Sequence, residues 1–84
     1  MYCAYVLQNP GGILYKGHTD DLQKRIEQHN AEDGFHSYTK HRGPWTVVYT
    51  EEFPTRKEAM MREKFFKTGK GRGFLKRIIG AVSA

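Results

Sequence analysis

The chain has 84 residues, with 14 Lys and Arg against 9 Asp and Glu; it is expected to form one domain over residues 1–84, with a thin core and shallow clefts instead of a deep pocket. The basic excess is local: six cations and no acid follow Glu63, which points to a polyanionic partner. There is no apolar run near the roughly 20 residues of a membrane span and no leader pattern, and the lone Cys3 and four scattered histidines offer neither an internal disulfide nor zinc-ligand spacing, so the chain reads as cytosolic.

In chain order, the apolar and aromatic run from Tyr2 to Leu7, the turn residues Asn9-Pro10-Gly11-Gly12 and a second run from Ile13 to Lys16 predict a hairpin. Thr19 or Asp20 is placed to cap a helix reaching His29 or Asn30. Residues 31–44 are polar and turn-forming, a long surface loop. Trp45 to Phe53 predicts a third strand. Thr55 and Glu58 have capping-box spacing, which starts a second helix running to about Lys67. The segment Gly69-Lys70-Gly71-Arg72-Gly73 is expected to break that helix, and Phe74, Leu75, Ile78, Ile79 and Val82 mark the apolar stripe of a short last one. The order strand, strand, helix, strand, helix, helix gives an α+β sandwich of three strands with helices over the sheet.

Several charged and polar groups fall on core-facing stripes. Arg25 and His29 share the face of Leu22 and Ile26, and Glu63 lies between Ala59 and Phe66 on the inward side of a basic helix. A partly buried carboxylate needs a partner. An internal Arg25–Glu63 ion pair would account for both residues without chemistry, and the hairpin tyrosines, Tyr5 and Tyr15, would then be amphipathic strand residues. Taken together, the same groups suit phosphodiester hydrolysis. Glu63 would anchor Mg²⁺, which keeps several waters, and Arg25 offers a planar fork to phosphate oxygens. Tyr15 or Tyr5 would orient or deprotonate water, given a lowered pKa, with His18 or His29 as proton acceptor. This reading requires Tyr5, Tyr15, Arg25 and Glu63 to converge on one spot, with Glu63 on the same side of the sheet as the other three.

"AYV" (4–6), "YKG" (15–17), Thr19, "LQKRIEQHN" (22–30), "PWTVVYTEEF" (44–53) and "AMMREKFFK" (59–67) together resemble the GIY-YIG nuclease superfamily. The likeness is to its small single-domain bacterial members, similar to the amino-terminal nuclease domain of the nucleotide-excision-repair nuclease, and it covers practically the whole chain. The resemblance implies a three-stranded antiparallel sheet flanked by helices. It also implies catalytic roles for Tyr5, Tyr15, Arg25, His29 and Glu63, with Glu63 as the ligand of Mg²⁺ or Mn²⁺. The implied activity is endonucleolytic hydrolysis of DNA, in repair or recombination. Ala4 and Val6 stand where the family name has Gly and Ile, Lys16 stands in place of Ile, His18 stands where the repair nucleases have Lys, and their downstream Asn has no counterpart. His18, Lys40, Arg42, Lys67, Lys70 and Arg72 are expected to contact DNA phosphates, and with no appended DNA-binding domain identified, targeting would fall to the core or to a protein partner. The rival reading is a non-catalytic nucleic-acid-binding module on the same scaffold.

Overall fold

The structure, a computed structural model, describes residues 1–30 and 43–83, with side chains through residue 80. Its elements are β1 (Tyr2–Gln8), β2 (Leu14–Thr19), α1 (Leu22–Asn30), β3 (Thr46–Phe53), α2 (Arg56–Phe66) and α3 (Gly69–Ser83). The strands form one antiparallel sheet in the order β2-β1-β3, the α+β arrangement expected from the sequence. The segment 31–42, with Lys40 and Arg42, lies outside the described residues.

β1 is the central strand, and Cys3 to Leu7 are buried without a break, as a strand covered on both faces requires. Its alternation divides the core. Ala4 and Val6 face α2 and α3 and pack with Phe66, Leu75 and Ile79. Cys3, Tyr5 and Leu7 face the other way, against Trp45 and the α1 residues Leu22 and Ile26. Each fully buried side chain such as Phe66 or Leu75 contributes about 1.5–3 kcal/mol. Asn30 joins the end of α1 to the start of β3, its side chain accepting from Trp45 N at 2.6 Å and donating to Trp45 O at 3.1 Å.

Two helix starts differ from expectation. Asp21 caps α1, its Oδ1 accepting from Lys24 N, while Thr19 Oγ1 accepts from Asp21 N and so supports the cap. α3 begins at Gly69, so the glycine-rich segment is its first turn and the break narrows to Lys67 and Thr68. Thr68 explains the shift: its hydroxyl donates to Phe65 O and accepts from Gly71 N, satisfying a helix donor that would otherwise have no partner. Gly71 allows the close turn, since a Cβ there would collide with Phe65 O. The second helix starts as expected, with Thr55 accepting from Glu58 N.

Candidate functional site

The pairing of β1 with β2 places the phenols. Tyr5 lies opposite Gly17 and Leu7 opposite Tyr15, so Tyr5, Tyr15 and Gly17 share the face covered by α1. With no side chain at Gly17, the Tyr5 ring lies across β2: a Cβ there would sit 2.5 Å from the Tyr5 hydroxyl. That hydroxyl shares a 2.9 Å hydrogen bond with His29 Nε2, and both residues are buried, 2% and 1% exposed. The Tyr15 ring centroid is 4.6 Å from that of His29 and 6.3 Å from that of Trp45. Trp45 is thus a core residue; Tyr15 is only half-buried.

Glu63 approaches from the opposite face. His18 pairs with Ala4 and Lys16 with Val6, so both point toward α2 and α3. His18 Nδ1 donates to Glu63 Oε1 at 2.6 Å, and Lys67 Nζ donates to Oε2 at 2.7 Å. Among the described residues, the ion-pair partners of Glu63 are therefore His18 and Lys67 rather than Arg25. The one-sided convergence on which the hydrolytic reading depends is not formed: the phenols and Arg25 are carried on the α1 side and Glu63 on the α2 side, so any shared site has to lie at the β2 edge. The reason is strand alternation together with the position of β2. Among the described residues it is an edge strand, with β1 on one side only, and its two faces meet at the outer edge. A groove of about 220 Å³ straddles this edge, lined by Tyr15 from one face, Leu14 and Lys16 from the other, and Lys67 at the end of α2.

The charges act across the edge. Burial chiefly, then Tyr15 and Glu63, push the Tyr5 pKa up while Arg25 opposes them; burial and Glu63 raise that of Tyr15 against Lys67 and Arg25. Both phenols therefore feel Arg25 and Glu63, and the protein itself holds them protonated at neutral pH. Burial alone would raise the Glu63 pKa, but the bonds and charges of Lys67 and His18 outweigh it and hold the carboxyl below its usual value. Arg25, half-buried on α1, also borders a shallow cleft with Thr19, Asp21 and Lys24.

Among the described residues, no three His, Cys, Asp or Glu side chains gather to hold a metal ion. A single ionised carboxylate with lone pairs remaining beyond its two bonds fits Mg²⁺ or Mn²⁺, hard cations satisfied by few protein oxygens, water and phosphate.

The GIY-YIG catalytic domain family model matches residues 1–76. The chain belongs to the GIY-YIG family. This is a nuclease family whose domains act on DNA and generally use divalent metals. The chain is 44% identical over 63 residues to the UPF0213 protein of Halobacterium salinarum, an alignment covering 75% of this chain and 80% of that one. It is 48% identical over 64 residues to the UPF0213 protein of Bacillus pumilus, covering 76% of this chain and 64% of the other. The solution NMR structure of the UPF0213 protein from Bacillus halodurans superposes with a TM-score of 0.54 at 33% identity, covering 93% of this chain and 85% of that one.

Within this GIY-YIG chain, Lys67 reaches Glu63, while Lys70 and Arg72 are exposed in the first turn of α3. His18 lies beside Glu63 and not at a periphery. Lys16 is the residue that the strand pattern does not single out. The available signal is the departure itself, a lysine in place of the family's apolar residue.

Proposed function

We propose that this protein is a divalent-metal-dependent endonuclease that hydrolyses DNA phosphodiester bonds at the β2 edge. Tyr15 and Arg25 would work from one face and His18 and Glu63 from the other. The observation that carries the reading is the groove at the β2 edge, where Tyr15 from one face meets Lys67 from the other, with Glu63 bonded to that Lys67 and to His18 of β2. An ion pair that merely stabilised the core would not require Tyr15 there.

Glu63 is the residue to hold the cation, which when bound supplies Lewis-acid relief of charge developing on the phosphate. Arg25 directs its fork of donors at the phosphate oxygens. His18 is the proton acceptor for the attacking water. Its Nδ1–H donates to Glu63, so that in the neutral ring Nε2 is the nitrogen able to take a proton, and its side chain is 23% exposed. Tyr15, half-buried beside the groove, orients water or a phosphate oxygen through its hydroxyl. Tyr5 is too buried to touch substrate and acts as a positioning residue, holding His29 against the Tyr15 ring. His29 thereby sets the Tyr15 ring from within the core. Lys67, Lys70 and Arg72 contact backbone phosphates, and targeting falls to the core itself or to a protein partner. Its setting is the cytoplasm, in repair or recombination. Among the described residues no helix is long and apolar enough to cross a membrane.

Supercoiled plasmid incubated with protein and Mg²⁺ or Mn²⁺ tests the activity. Nicked or linear product from the wild type, lost in both Glu63→Ala and Arg25→Ala, is expected. Retained DNA without cleavage, across several DNA shapes, would favour the binding module instead.

A further inference from the structure

The spacing of α2 over β2 sets two lysines against each other. Two residues of strand advance about 6.6–6.8 Å and four of helix about 6 Å, so the step from Glu63 to Lys67 matches the step from His18 to Lys16 taken in the opposite direction. Since Glu63 is bonded to His18, Lys67 comes to lie by Lys16, and the two border one groove. Arg72, exposed in the first turn of α3, adds a third positive charge close enough to act on Lys16. Burial first, then Arg72 and Lys67, push the Lys16 ammonium pKa below its usual value, as expected of cations crowded together. Lys67 has one bond, to Glu63, and an ammonium carries three donors. Among the described residues neither Lys16 nor Arg72 has an acidic partner.

We infer that the groove between Lys16 and Lys67, beside Tyr15, is a phosphate subsite that holds a backbone phosphate of the nucleic acid flanking the one attacked. The inference rests on the nuclease reading and adds to it a residue and a direction. Lys16 and Arg72 grip the flanking phosphate, and Leu14 and the Tyr15 ring give an apolar wall for the adjoining sugar. Lys67 joins this subsite to Glu63 through one ammonium. The strand therefore runs along the outer edge of β2 and turns toward the start of α3. Two cations, Lys16 and Lys67, line this shaped groove, Arg72 acts on Lys16 from the first turn of α3, and among the described residues neither Lys16 nor Arg72 has an acid to neutralise it.

The test is the salt dependence of binding, measured without metal so that nothing is cut. A fluorescein-labelled DNA duplex is titrated with protein by anisotropy at several salt concentrations in EDTA. Loss of one phosphate contact lowers the slope of log K against log salt by about 0.9 on duplex DNA. Lys16→Gln is expected to lower the slope by about that much, Lys16→Arg to restore it, and Lys57→Gln, an exposed lysine on α2 carrying the same charge change, to leave it unchanged. Arg72→Gln, on the surface, is expected to lower it as well, and guards against misfolding of the partly buried Lys16→Gln. A wild type that binds and cleaves DNA while Lys16→Gln and Arg72→Gln keep the wild-type slope overturns the subsite and leaves the nuclease reading standing. A wild type that does not bind DNA overturns both.

Discussion

Gly17 shows how one missing side chain places a neighbouring phenol. The Tyr5 ring occupies the space a Cβ would take, and only from there does its hydroxyl meet His29. Gly17→Ala forces the ring aside; overpacking of this kind costs about 1–3 kcal/mol, and loss of the Tyr5–His29 bond leaves a buried polar group at a similar penalty. The expected result, both costs together, is a fall in unfolding free energy of about 2–6 kcal/mol in urea, with loss of cleavage. A Gly17→Ala protein as stable and as active as wild type would show that Tyr5 is not held by this contact. The two tyrosines and His29 are legible in the sequence as a set because each breaks the apolar pattern of its element. Their separate roles are not, since burial separates Tyr5 from Tyr15 and depends on which strand is central. Lys16 is hidden for a related reason: a lysine on an edge strand looks solvated until the helix above it is known.

At the scale of elements, the first turn of α3 departs most from expectation. Three glycines in five residues look like a break, yet only Gly71 is required by packing; Gly69 and Gly73 have open space where a Cβ would be. Gly71→Ala is therefore expected to destabilise by more than about 1 kcal/mol through the clash with the Phe65 backbone. Gly73→Ala, in the helix interior, is expected to stabilise by about 0.5–1 kcal/mol. Thermal unfolding of the pair checks this, and equal effects would contradict the assigned helix start. Strand and helix periods make the other elements readable, because each buries one face and repeats accordingly. What periodicity leaves open is the contact between α2 and β3. Arg62 donates twice to Glu51 at 3.0 Å, Tyr49 donates to the same carboxylate at 2.6 Å, and the guanidinium lies 4.5–5.2 Å from the ring centroids of Phe65, Phe66 and Phe74. In the sequence alone Arg62 and Glu51 look like ordinary solvated charges; the partners become visible only when the strand and helix are packed.

Across the whole molecule, the proposed site draws on both faces of the sheet and joins them at an edge. The order β2-β1-β3 permits this, because among the described residues β2 has a strand neighbour on one side only. That order depends on long-range pairing, which local pattern does not reveal, and so the sequence by itself leads to a one-sided site. The arrangement ties function to acid stability. The folded Glu63 carboxyl holds its proton less readily than the unfolded chain's carboxyl, near 4.3, so its stabilisation is fully present above that value and lost as pH falls through the lower folded one. The thermal midpoint of Glu63→Gln is expected below that of wild type at pH 7, with the gap closing below about pH 4; parallel curves would mean that Glu63 is not held by His18 and Lys67. The central claim is that Tyr15 and Glu63, carried on opposite faces, act on one phosphate. Groups acting as a unit are strongly non-additive. Single-turnover cleavage of labelled DNA by Tyr15→Phe, Glu63→Gln and the double variant tests the claim most directly. Each single variant is expected to slow cleavage, with the double no slower than the worse of the two. A double variant whose rate falls by the product of the two single losses would contradict a shared site.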